Sequence, residues 1–119
     1  MQERRLSPRY PFTRPLDVRG RHGEVFAARS CDISAAAIGL LMARSVVIAL
    51  AQGGSILTAG DQFEVVVARN GLSLDCRVRH IRRLSQEQYM VGAWFADLTP
   101  EQDAALGLLL QEAAAVKGA

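Results

Sequence analysis

The run Asp61-Gln62-Phe63-Glu64-Val65-Val66-Val67-Ala68-Arg69-Asn70-Gly71-Leu72-Ser73-Leu74-Asp75-Cys76-Arg77-Val78-Arg79 decides the architecture. Phe63, Val65 and Val67 alternate with Gln62 and Glu64. Leu72, Leu74, Cys76 and Val78 alternate in the same way with Ser73, Asp75, Arg77 and Arg79. A period of two places each apolar set on one face of a strand and the polar set on the other. Asn70-Gly71 is the preferred pair for a type I′ turn, so the two strands form an antiparallel hairpin. After a polar turn from Ser85 to Gln88, Tyr89, Val91, Ala93 and Phe95 make a third inward set. The second half of the chain is therefore a three-strand meander whose register is written in its alternation.

Outward from the meander, the remaining elements are shorter. Pro8, Pro11 and Pro15 make residues 1–15 an extended, non-helical arm that bears arginines and adds little core. Leu16 to Arg19 reads as a strand, Gly20 to Gly23 as a turn, and Glu24 to Cys31 and Ala37 to Met42 as two further strands. A helix ends the chain. Thr99 suits the N-cap, Pro100 the first helical position, and Gln102 completes a capping box. Leu106, Leu109, Leu110 and Ala113 then form one apolar stripe able to cover an open end of a sheet. Six short strands and one helix predict a mainly β fold: a small six-stranded antiparallel barrel with a C-terminal α-helix. Residues 16–119 are expected to form this single barrel. An apolar insertion at about 44–57, running through Ser45-Val46-Val47-Ile48-Ala49-Leu50-Ala51, adds either core packing or a surface for self-association or a protein partner.

The bulk properties exclude several classes. The chain has 119 residues, half of them apolar, enough for one domain and one core. The net charge of +2 is too small to argue for bulk nucleic-acid binding. Its distribution is more informative. Of 14 basic residues only Lys117 is a lysine, and seven arginines crowd the first 29 positions. Such a local patch suits a small anion. The N-terminus lacks the apolar run of a signal peptide. Ile38 to Ala51 is too short to span a bilayer and contains Arg44, so a cytoplasmic location is expected. Cys31 and Cys76 lie far apart, without a C-x-x-C pair, and read as small apolar residues.

Two short stretches carry chemistry. Arg5 and Arg9 are spaced R-x-x-x-R in the N-terminal arm, with Arg4 as an auxiliary, and Asp32-Ile33-Ser34 precedes the strand from Ala37. A guanidinium grips phosphate bidentately and lies flat on an aromatic base. Asp and Ser add an acceptor and a donor–acceptor suited to a guanine edge. Together they suggest a site for an anionic purine nucleotide.

These stretches, in this strand order, resemble the PilZ domain family, whose signature is R-x-x-x-R followed by D/N-x-S-x-x-G. The resemblance covers nearly the whole chain. It implies a bacterial, non-catalytic signalling receptor that binds cyclic dimeric GMP (cyclic di-GMP) and relays to a partner protein. Arg5 and Arg9 would meet phosphate and the guanine Hoogsteen edge, and the arm would fold over the ligand. Asp32 and Ser34 would meet guanine from the barrel. One position departs from the signature, because Ala37 stands where the motif has glycine and Gly39 follows two residues later. If a left-handed backbone is required there, alanine costs about 1–2 kcal/mol, which weakens binding about five- to thirtyfold. A turn shifted to Gly39 is one way to restore the geometry. The alternative is a degenerate PilZ-fold adaptor that binds protein partners without nucleotide.

Other residues carry less. Arg77 and Arg79 read as a solvated strand face or as an extension of the basic surface. Trp94 falls on the outward phase, free to stack on a base or to pack against the helix or the insertion. Cys76 and His80 are spaced to share a strand face, but no third group is available to orient a nucleophile–base pair. His22, His80 and the cysteines have no metal-ligand spacing, and no phosphate-binding glycine loop or nucleophile elbow is present. The expectation is a binding protein with no cofactor and no enzymatic activity.

Overall fold

A computed structural model describes residues 8–67 and 71–118, with side chains to residue 115. The strands are β1 (Tyr10–Pro11), β2 (Pro15–Arg19), β3 (Val25–Ile33), β4 (Ala37–Ala43), β5 (Gln62–Val67), β6 (Leu72–Arg83) and β7 (Gln88–Phe95), and the helices are α1 (Arg44–Ala49) and α2 (Pro100–Gly118). Around the sheet the order is β3-β2-β5-β6-β7-β4, and β4 pairs back onto β3. All pairings are antiparallel, so the six strands close into a barrel and only β1 lies outside the ring, on β3.

The β5–β6 hairpin has the register its alternation predicts. Phe63 faces Cys76, Val65 faces Leu74 and Val67 faces Leu72, all buried. Asn70 of the connecting turn lies outside the described residues, while Gly71 adopts φ +66°, a conformation glycine tolerates. Gly60, at the turn entering β5, has φ +95°. Val18, Leu40 and Val91 complete the centre of the barrel without solvent contact.

The two helices leave opposite ends, because α1 follows β4, α2 follows β7, and β4 and β7 run antiparallel. At the start of α2 the capping box is reciprocal: Gln102 N–H donates to Thr99 Oγ1 (3.1 Å) and Thr99 N–H to Gln102 Oε1 (2.9 Å). Leu106, Leu109 and Ala113 are buried, as the stripe predicts. The insertion contributes core at the other end. Val46, Val47, Leu50 and Leu57 are buried, leaving Ile48 as its large exposed apolar side chain, at 48%. The contiguous apolar surface entertained for 44–57 is therefore absent: a short helix turns the run's apolar side onto the barrel.

The N-terminal segment is also more integrated than an arm that adds little core. Phe12 is buried, and Tyr10 packs against the core. Ser30, on β3, holds the bend between β1 and β2. Its hydroxyl donates to the Phe12 carbonyl and accepts from the Arg14 N–H (3.0 Å), while its own N–H donates to the Arg14 carbonyl (2.9 Å). Arg14 then crosses to α2, pairing with Glu112 at 2.6 Å with its guanidinium 4.9 Å from the centre of the Phe12 ring.

Ser30 is fully buried, so removing its hydroxyl leaves two backbone groups without a partner. Ser30→Ala should lower unfolding stability by about 1–3 kcal/mol in urea. An unchanged midpoint would mean that water enters and replaces the hydroxyl.

Candidate functional site

The site begins with a bulge. The β3–β4 register shifts between Ser30 and Asp32, so Cys31 is an extra residue in the ladder. Ser30 and Ile33 face the core while Asp32 faces out. Re-aiming a side chain in this way is a common use of bulges. Asp32 sits opposite Gly39 of β4, and its carboxylate lies across the glycine: a methyl there would come within 2.7 Å of Oδ1. Arg9, just before β1, donates from Nη1 to the same Oδ1 at 3.2 Å. The side chains remain 45% and 32% exposed, so this ion pair is worth about 0–1 kcal/mol and can be exchanged.

Ser34 has a different task. Its hydroxyl accepts from the N–H groups of Ala36 (3.2 Å) and Ala37 (3.1 Å), and its N–H donates to the Ala37 carbonyl (2.8 Å). The side chain is buried and forms the turn from β3 to β4. Ala37 is the first residue of β4, paired with Trp94. Among the described non-glycine residues only Asp97 has positive φ, so Ala37 is not in the left-handed region. The strain expected of alanine here does not arise. Nor does Gly39 form a shifted turn, for it lies inside β4 between Asp32 and Gly92. Thus Arg9, Asp32 and Gly39 come together, Ser34 and Ala37 frame them, and Arg4 and Arg5 lie outside the described residues.

Across the outer face of β3, β4, β7 and β6 run three rows of paired residues. The middle row is Asp32, Gly39, Gly92 and His80. On one side of it lie Ala37, Trp94 and Arg77, and on the other Arg29, Leu41, Met90 and Arg82. A second bulge, at Arg79, separates Val78 from His80 in register. It turns His80 outward, onto the opposite face from buried Cys76, so the shared face that simple alternation predicts for these two is lost. The imidazole lies over Gly92 and would overlap any methyl there. Arg79 places its guanidinium 4.4 Å from the centre of the Trp94 ring. Alternation alone did not place Gly92 and His80 in one row with Asp32. The signal available was glycine in the middle of two strands, which marks a close approach.

Neither thiol is an activated nucleophile. Cys76 is raised well above the usual thiol range, chiefly by burial, and Cys31 is raised by burial and then by the neighbouring Asp32 charge. Among the described residues no group of three His, Cys, Asp or Glu side chains is placed to hold a metal ion, and no helix is long and apolar enough to cross a membrane. A depression of about 300 Å³ lies away from Arg9, beside β2, β5 and β6. Its arginines are matched by acids, with Arg19 paired to Glu64 at 3.0 Å.

The model of the PilZ domain family matches residues 3–112. Among solved structures, the K. pneumonia MrkH–c-di-GMP complex aligns with a TM-score of 0.65 at 14% identity, covering 89% of this chain and 50% of that one. The Bacillus subtilis inhibitor of motility MotI/DgrA aligns at 0.64 and 15% identity, covering 96% and 51%. The chain thus spans about half the length of these structures. Among proteins of curated function none matches it in sequence. With the family model covering nearly all of its length and the strands closing into the expected barrel, the chain belongs to the PilZ domain family.

Proposed function

We propose that this chain is a receptor for cyclic di-GMP, which it binds on the outer face of the barrel and relays to a partner protein. The observation that carries the reading is the exposed Arg9–Asp32 pair above Gly39. A phosphodiester can take the place of the Asp32 carboxylate on Arg9, exchanging one ion pair for another. Asp32 is then free to accept from the amino edge of guanine. Arg5, and Arg4 beside it, would add charge from the N-terminal segment. Ser34 and Ala37 act through the turn that holds Asp32 opposite Gly39. This is a binding role without catalysis, in keeping with two protonated thiols.

The MrkH complex is one case of the same fold holding this ligand. A relay has a physical route here. Arg9 leads into β1, β1 packs against α2, and Arg14 ties the following residues to Glu112 of that helix. A ligand that draws Arg9 off Asp32 therefore loads the contact between β1 and α2. The nucleotide-free adaptor loses its motivation, because Ala37 sits in unstrained extended backbone and the insertion is occupied by the core.

Calorimetric titration with cyclic di-GMP tests the reading, and no heat at high-micromolar ligand overturns it. Arg9→Ala and Arg5→Ala should each remove a charge-assisted contact of about 1.5–3 kcal/mol, a loss of about ten- to 150-fold in affinity. Gly39→Ala should also weaken binding, since its methyl displaces the Asp32 carboxylate. Ala37→Gly should leave affinity within about twofold, a change under about 0.5 kcal/mol; marked tightening would mean the ligand needs the space of that methyl. Amide exchange should change in α2 when ligand is added. Exchange confined to β3 and β4 would leave the relay without its helix.

A further inference from the structure

We propose that the site does not end at Asp32 and Gly39 but continues over Gly92 to His80, which receives a second purine base of the same ligand. This rests on the reading of the chain as a cyclic dinucleotide receptor and assigns residues to its far half. Three observations carry it. First, Gly39 and Gly92 face each other on adjacent strands and form a strip, between the Trp94 and Leu41–Met90 rows, against which the Asp32 carboxylate and the His80 ring lie. Glycine weakens a strand interior, and its placement there commonly marks the close approach of a ligand or another group. Second, each end of the strip follows a bulge, at Cys31 before Asp32 and at Arg79 before His80. The chain thus twice breaks its ladder to turn a polar side chain onto the same row. Third, the charge is uneven. Asp32 is the one carboxylate in the three rows, while the β6 end carries exposed Arg79 and Arg82.

Size selects the occupant. Four strands about 4.8 Å apart put β6 roughly 14 Å from β3, wider than one purine and suited to a ligand with two. The His80 ring lies against Gly92, with Cε1 nearest, and the residue is exposed, so it is accessible to a base. Its side chain makes no hydrogen bond to a described residue, which leaves the ring nitrogens to meet the base edge. The Arg79–Trp94 stack stands beside it and places a cation near the second phosphate.

The chain's one tryptophan makes the far half directly observable, since Trp94 flanks it. Cyclic di-GMP added to the full chain should change Trp94 emission along the same isotherm as the calorimetric heat. His80→Ala should weaken binding about five- to 150-fold, the range for losing one base–aromatic stack, and His80→Phe should restore most of it. The unliganded melting temperature of each variant serves as the check on folding. Affinity within about twofold of wild type in His80→Ala, with Trp94 emission unmoved while heat is still released, overturns the extension and leaves the Arg9–Asp32 site standing. Absence of heat in the wild-type chain overturns both.

Discussion

The one-residue shift between Ser30 and Asp32 in the β3–β4 ladder decides which side of the barrel carries the carboxylate. Without it, strict alternation from Ser30 would turn Asp32 toward the core, where an ionised carboxylate without a partner is costly. With it, Ser30 points inward to hold the entering chain and Asp32 points outward to meet Arg9. Both consequences follow from one extra residue, Cys31. The turn built by Ser34 pins this register, because its hydroxyl and N–H consume the backbone groups of Ala36 and Ala37. The barrel closes through the same ladder, so the ring and the site share one set of hydrogen bonds.

Rigidity and exchangeability are therefore divided between neighbours. Asp32, Gly39 and Gly92 sit on strands paired on both edges, with Ile33, Ile38, Val91 and Ala93 buried behind them. Arg9 is attached on the outside, by an ion pair that is partly exposed to solvent. A fixed acceptor and an exchangeable cation suit a site that must be selective without being sealed.

The sequence was most readable where one physical rule acted alone. Alternation set the β5–β6 hairpin, and Thr99, Pro100 and Gln102 marked the start of α2. Arginine spacing and the Asp32–Ser34 pair pointed to the end of β3, where Arg9 meets Asp32. It was least readable where two rules met. Val46, Val47 and Leu50 are an apolar run of ambiguous period, and only the available barrel end decides that they turn inward as a helix. Phe12 lay among prolines that suppress any periodic signal. The bulges at Cys31 and Arg79 have no compositional mark at all, so Cys76 and His80 looked like neighbours on one face when the ladder puts them on opposite sides.

Ala37 illustrates how a motif can mislead about its own physics. A glycine in a signature invites a reading in terms of positive φ, yet this position is the first residue of a strand and only the side-chain volume is at stake. That volume is taken up in a buried turn beneath Trp94's strand. The glycine with a steric duty is Gly39, where the carboxylate of Asp32 occupies the space a methyl would need. Tolerance at the first position and intolerance at the second follow from the same hairpin. Position along β4 sets the requirement, because Ala37 borders the turn while Gly39 lies under the Asp32 carboxylate.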